Sequence, residues 1–249
     1  MNKLLEVCVD SLASARAAIA AGADRLELCS ALAVGGLTPY TALLRQIRAE
    51  SDIPVRCLMR PRPGDFLYTP EELALLVLQI ADLKAAGADG FVIGCLTPEG
   101  RLDRAAMRPL LDACGGCGVT LHRCIDVSAD LEQTYRDAMD LGIDTVLTSG
   151  GAASCTAGTK TLRRLLALRD ALAGPEILVG ARVNAGVISQ FRRELPGCRA
   201  FHMSGKADRE SGMVFRREGV PMGLPGLDEW HISQTDPAAV AAARAALDA

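Results

Sequence analysis

The sequence predicts an α/β protein, a (β/α)8 barrel of the TIM type, formed as a single domain over residues 1–249. Three observations carry that prediction. Eight short apolar runs alternate with helical runs along the chain, with short connections. Joints reading "GAD" or "GID" recur at 22–24, 87–89 and 142–144, where a helix hands over to the next strand. The first strand is not followed by the glycine fingerprint that opens a dinucleotide-binding sheet.

The elements follow in order. Strand 1 is "LLEVCVD" (4–10), followed by the alanine-rich helix "SLASARAAIAAG" (11–22), which stops at glycine. Strand 2 is "DRLELCSA" (24–31), then the helix "TPYTALLRQIRAE" (38–50). Strand 3 is "IPVRCLMRP" (53–61). The helix "TPEELALLVLQIADLKAAG" (69–87) opens with Thr69 and with Glu72 three residues on, the spacing of a capping box. Strand 4 is "GFVIGCLT" (90–97), then "DRAAMRPLLDACG" (103–115). Strand 5 is "VTLHRCID" (119–126), then "DLEQTYRDAMDLG" (130–142). Strand 6 is "DTVLTSG" (144–150), then "TKTLRRLLALRDALAG" (159–174). Strand 7 is "EILVGARVN" (176–184), then "GVISQFRRELPG" (186–197). Strand 8 is "RAFHMSGK" (199–206), and "DPAAVAAARAALDA" (236–249) closes the outer ring. The stretch 207–235 is too long for an ordinary joint. It is expected to fold over the barrel mouth or to serve a subunit contact.

Composition narrows the function classes. Apolar residues make up 49% of the chain, enough for a sizeable core, and the formal net charge is −3 with both signs mixed along the sequence. No basic patch points to a nucleic-acid partner. No apolar run reaches the roughly 18 residues of a membrane span, and no window reads as a signal peptide. The expected compartment is the cytoplasm, where the nine scattered cysteines would stay reduced. Cys114 and Cys117 have C-x-x-C spacing, but no second pair follows at zinc-site spacing, and neither zinc nor a disulfide is expected there.

Active sites of this fold sit at the C-terminal ends of the strands, and strand side chains alternate between lumen and exterior. Parity therefore groups Glu6, Cys8 and Asp10 on strand 1, Arg25, Glu27 and Cys29 on strand 2, and Arg56, Leu58 and Arg60 on strand 3. On strand 5 it groups His122, Cys124 and Asp126. Charge at these positions is unexpected, because burying an ion costs several kcal/mol unless it is paired. An internal ion-pair network, such as Glu27 with Arg60, would account for some of it. The clustering at one face favours a site. Arg60 and Arg62 are candidates to clamp a carboxylate or phosphate, with Arg123, Ser149 and Ser204 as further substrate-binding groups. His122, Glu27, Asp126 and Glu6 are the candidate catalytic groups. His202 and Ser204 end strand 8, and His231 reads as a surface or packing histidine.

Several stretches together carry a resemblance: "EVCVDS", "GADRLELC" followed by "GGLTP", "RPRPGDFLYT", "HRCID", "LTSGG" and "SGMVFR". In this order they resemble the CutC family, named for copper homeostasis. The resemblance implies a TIM barrel, a cytoplasmic and self-associating protein, and copper(I) binding. In a eukaryotic relative copper is attributed to cysteines of the first two strands, which fall on Cys8 and Cys29 here. Cys124, at a position where the family reads "RAFD", adds a thiol and a candidate third ligand. Leu121 replaces the family's phenylalanine, and Pro63 stands where glycine is common.

Two functions are thus expected to compete. One is copper(I) binding by Cys8, Cys29 and Cys124, with Arg25 and Arg60 lowering the thiol pKa values. The other is an enzyme acting on a small anionic metabolite, carboxylate or phosphate, at the C-terminal face.

Overall fold

The computed structural model describes residues 3–220, 222–224, 226 and 228–249. Eight parallel strands close into a barrel in chain order. They are β1 (Leu4–Val9), β2 (Arg25–Leu28), β3 (Val55–Leu58), β4 (Gly90–Ile93), β5 (Gly118–Leu121), β6 (Thr145–Thr148), β7 (Glu176–Val179) and β8 (Ala200–Met203). The helices are α1 (Leu12–Ala20), α2 (Thr41–Arg48), α3 (Pro70–Ala85), α4 (Arg104–Cys114), α5 (Leu131–Asp140), α6 (Thr159–Leu172), α7 (Ala185–Glu194) and α8 (Pro237–Asp248). The (β/α)8 fold expected from the sequence is the fold observed, with α8 packed beside α7 and α1 to complete the ring. Among the described residues no helix is long and apolar enough to cross a membrane.

Local chemistry sets the helix starts. Thr69 and Glu72 form the capping box read from the sequence, with Pro70 at the first helical position, where its missing N–H costs nothing. Asp103, Asp130 and Asn184 cap α4, α5 and α7 through their side-chain oxygens.

Alternation along each strand builds two packing layers. Leu5, Val7 and Val9 of β1 join the large apolar layer between strands and helices, with Leu26, Phe91, Val146 and Phe201. Each such side chain contributes roughly 1.5–3 kcal/mol when fully buried. The opposite faces fill the lumen. Cys8, Cys29, Leu58 and Val92 form one apolar group there, and Leu147, Leu178 and Ala200 another. Between these groups the lumen is charged. Register puts Glu6 opposite Arg25 on one side and His202 on the other, and Cys8 opposite Glu27.

Two parts of the sequence reading change. Strand 5 ends at Leu121, and Arg123–Val127 forms a 3-10 turn capped by His122. The stretch 207–235 is not a plain loop. Part of it forms an antiparallel ribbon, β9 (Lys206–Glu210) with β10 (His231–Thr235), anchored where the Thr235 N–H donates to Ser14 Oγ at 3.1 Å.

Candidate functional site

A cavity of about 420 Å³ opens at the C-terminal face. Its lining combines Cys8, Glu27, Arg60, His122, Arg123 and Ser204, all singled out in the sequence, with Arg182, His202 and Lys206, which were assigned no role.

The floor of the site is a buried ion chain. Arg56 pairs with Asp144 at 2.8 Å near the N-terminal end of the lumen. Above it Arg25 Nε donates to Glu6 Oε2 at 2.5 Å, and His202 Nδ1 lies 2.8 Å from Glu6 Oε1. His202 Nε2 then lies 3.8 Å from Glu27 Oε2. Glu6 has no solvent exposure. Burial alone would raise its pKa, but Arg25 and His202 outweigh burial and hold it down to about 2. Burial likewise opposes charge on His202, yet Cys8, Glu27 and Glu6 together push its pKa well above the ordinary value. These neighbours favour the imidazolium form of His202. Glu27 goes the other way: burial, with Glu6 nearby, raises its pKa despite His202.

On the other wall stands His122, 4% exposed. Its Nδ1 accepts the Cys124 backbone N–H at 3.2 Å, and its ring lies against Phe66, centroids 4.7 Å apart. Burial first, and then Arg60, lower its pKa to about 3. The ring is neutral, with its proton on Nε2. Gly94 at the end of β4 is required for this placement, because a Cβ there would come within 2.5 Å of His122 Cε1 and Cys124 Sγ.

Arg60 lines the cavity without pairing with Glu27. Its Nη1 donates to the Val34 and Gly36 carbonyls at 3.1 Å each and its Nη2 to Gly64 at 2.9 Å. It ties two loops over the mouth and lies 5.4 Å above the Phe66 ring. The rim is cationic: Arg182 and Lys206 make no ion pair among the described residues. Ala181 and Arg182 hold left-handed backbone, φ 73° and 63°, a conformation that costs a non-glycine residue about 1–3 kcal/mol and concentrates at functional sites.

Other sequence candidates lie elsewhere. Arg62 is outside the cavity, bound to Glu72 at 2.6 Å and Asp65 at 3.0 Å, so it does not join Arg60 in a clamp. Asp126 is committed to hydrogen bonds with the turn after β6 and with Arg123. Its carboxylate accepts from Thr148 Oγ1 at 2.5 Å, from the Ser149 and Gly151 backbone N–H groups at 3.0 Å, and from Arg123 Nε at 2.7 Å. Ser149 Oγ is engaged with Asp126 and the Ala152 carbonyl. Glu6 sits beneath the cavity rather than on its wall.

The thiols also divide. Cys8, Glu27 and His202 present ligand atoms within 4.8 Å of one another. Cys29 lies behind them and donates to Glu27 Oε2 at 3.4 Å. Burial and then Glu27 push its pKa well up, the reverse of the activation expected from nearby arginines. Cys124 belongs to a different apolar group, its Sγ bordering Gly94 together with the His122 ring. All nine cysteines are free thiols, the Cys114–Cys117 pair included.

The molecule is an α/β barrel protein with a charged lumen that opens into a cavity at the C-terminal face. The comparisons give the particular family: the CutC family model matches residues 3–207, and the chain belongs to the CutC family. A CutC family protein of Chromobacterium violaceum is 39% identical over 249 residues, covering 100% of this chain and 99% of that one. One of Vibrio campbellii is 38% identical over 243 residues, 97% of each chain. Among solved structures, a CutC protein of Streptococcus agalactiae, described as a candidate copper homeostasis protein, superposes with TM-score 0.75 at 28% identity, covering 81% of this chain and 98% of that one. N-(5'-phosphoribosyl)anthranilate isomerase of Pyrococcus furiosus shares the fold, with TM-score 0.55 at 14% identity over 99% of both chains.

Proposed function

We propose that the protein is an enzyme that binds a small anionic metabolite in the mouth cavity and transfers a proton to or from it through Glu27. The observation that carries this reading is the lining itself. Arg123, Arg182 and Lys206 at the rim, with Ser204, surround a cavity whose inner wall holds a buried carboxylate of raised pKa beside an imidazolium. Cationic groups after strands 7 and 8 stand where this fold usually holds phosphate, and a carboxylate with a raised pKa suits proton transfer near neutral pH. The protein works in the cytoplasm, where its thiols stay reduced.

A second reading, copper(I) binding for copper homeostasis, is favoured by one observation: Cys8, Glu27 and His202 could share an ion. The donor set fits copper(I) poorly. It offers one thiol where this ion prefers two or three soft sulfur ligands, and His202 would first have to lose a proton that two carboxylates hold. Arginine and lysine add nothing to such a site.

Thermal unfolding of the full chain with inorganic phosphate, malonate or copper(I) separates the two readings. A ligand at 100 times its Kd adds about 2.7 kcal/mol. The anion reading expects phosphate or malonate to raise Tm in the parent and not in an Arg182→Ala, Lys206→Ala double variant. Stabilisation by one equivalent of copper(I), with none by either anion, would favour the second reading.

A further inference from the structure

We infer that His122 is the group that polarises a substrate carbonyl, and that the substrate class is a small phosphorylated or carboxylated aldehyde or ketone whose α-proton is taken by Glu27. This rests on the anion-cavity reading and makes it specific.

The argument begins with a tautomer. A backbone N–H can only donate, so the Cys124 N–H at 3.2 Å requires an unprotonated Nδ1 on His122. The neutral ring then carries its proton on Nε2. That atom is buried and has no hydrogen-bond partner among the described residues, although His122 lines the cavity. Leaving a buried donor unsatisfied costs about 1–3 kcal/mol, so a donor kept in this state points to a partner that arrives with the substrate. Phe66 on one side and the glycine-sized gap at Gly94 on another fix the ring in place. Arg60 Nε is a second buried donor without a partner among the described residues, its remaining nitrogens being committed to loop carbonyls.

A permanently anionic group would be better held by a guanidinium or an imidazolium. A fixed, neutral N–H matches instead an oxygen that gains charge during the reaction, as at a carbonyl passing to an enolate. Burial and Arg60 keep the ring neutral, so it supplies a hydrogen bond without giving up its proton. Glu27 lines the same cavity and is the group that can accept the proton.

The step balances without an oxidant or a second reactant. Glu27 takes the proton from the carbon next to the carbonyl. The C–H electron pair forms a carbon–carbon double bond, and the carbonyl π pair moves onto oxygen, which accepts the hydrogen bond from His122 Nε2. Return of the proton to the same carbon regenerates the carbonyl compound. The anionic end of the substrate is held meanwhile by Arg182, Lys206 and Ser204.

Two probes that share a phosphate test this by calorimetric titration of the full chain. Phosphoglycolohydroxamate imitates the planar, charged enolate, and glycerol 3-phosphate has only saturated alcohols. The expected result is hydroxamate binding at least tenfold tighter than glycerol phosphate in the parent. His122→Asn keeps an acceptor for the Cys124 N–H but loses the donor at Nε2. It should weaken hydroxamate at least tenfold and change glycerol phosphate less than threefold, and His122→Gln should recover part of the loss. Equal affinity of the parent for both probes, a comparison that needs no variant, overturns the role of His122 and leaves the anion cavity standing. So does a proportional loss of both probes in His122→Asn. No binding of either probe to the parent overturns the anion cavity as well.

Discussion

Glu6 and His202 meet across the seam where β8 returns to β1, Oε1 to Nδ1 at 2.8 Å. The two residues are 196 positions apart, and closure of the barrel is what joins them. With Arg25 on its other oxygen, Glu6 is a buried anion held between two cations. Cys8, Glu27 and Glu6, in that order, favour the charged form of His202, and His202 in turn lowers the pKa of Glu27 against the effect of burial.

Replacing Glu6 by glutamine leaves Arg25 and His202 without their shared anion. Breaking a buried pair in this way costs about 3–5 kcal/mol, and urea unfolding of Glu6→Gln should show a loss of that size at pH 7. Because the folded-state pKa of Glu6 is lowered to about 2, its contribution is fully present above the unfolded value near 4.5 and is lost as pH falls through about 2. The gap between parent and variant should therefore narrow as pH falls below 4.5. A gap that is unchanged at pH 3 counts against the ion chain.

His122 predicts an acid sensitivity of its own. Its ring stays neutral in the folded protein down to about pH 3, while the unfolded chain protonates it below about 6.5. The parent should lose stability from this group as pH falls through that window, about 2–3 kcal/mol by pH 4.5. His122→Asn lacks this loss. Its stability relative to the parent should rise between pH 7 and 4.5 in paired urea titrations.

The cysteines should separate in a copper(I) competition titration against a chromogenic chelator. Whatever affinity the parent shows should fall more than tenfold in Cys8→Ser, fall less in Cys29→Ser, and stay at the parent value in Cys124→Ser and Cys198→Ser. Equal losses in Cys8→Ser and Cys124→Ser would mean that both thiols hold the ion.

Asp126 should behave as a structural residue. Losing its bonds to Thr148, Ser149 and Gly151 removes a network of charge-assisted hydrogen bonds, each worth about 1.5–3 kcal/mol. Asp126→Asn should lower Tm by several degrees while phosphate affinity falls less than in Arg182→Ala. The reverse ordering would return Asp126 to the candidate catalytic set.

The fold was legible because buried parallel strands read as apolar runs punctuated by helix stops, and those signals are local. Parity placed Glu6, Cys8 and Glu27 on the lumen side because their strands are regular. It did not foresee that β5 gives way after Leu121 to a 3-10 turn, whose period is near three rather than two. That turn puts Arg123 and Asp126 together. Arg60 and Glu27 looked like a pair because both are charged and on adjacent strands, whereas loop carbonyls claim the guanidinium. His202 carried a weak signal, a histidine on the parity of a strand-8 end, but its partners come from non-local closure. The ribbon of β9 and β10 left no apolar alternation to find, since Lys206–Glu210 is exposed throughout.

With three histidines in the chain, nitrogen-15 NMR of histidine-labelled protein tests the central claim most directly. At pH 7 the account predicts that His202 is an imidazolium and that His122 is a neutral ring protonated on Nε2. Inorganic phosphate should move the His122 and His202 signals along a saturable curve, with His231, paired to Asp228 and Glu210 on the ribbon, moving least. A neutral His202, or signals of His122 and His202 that stay fixed while phosphate is added, would contradict an anion-binding cavity built on this buried charge.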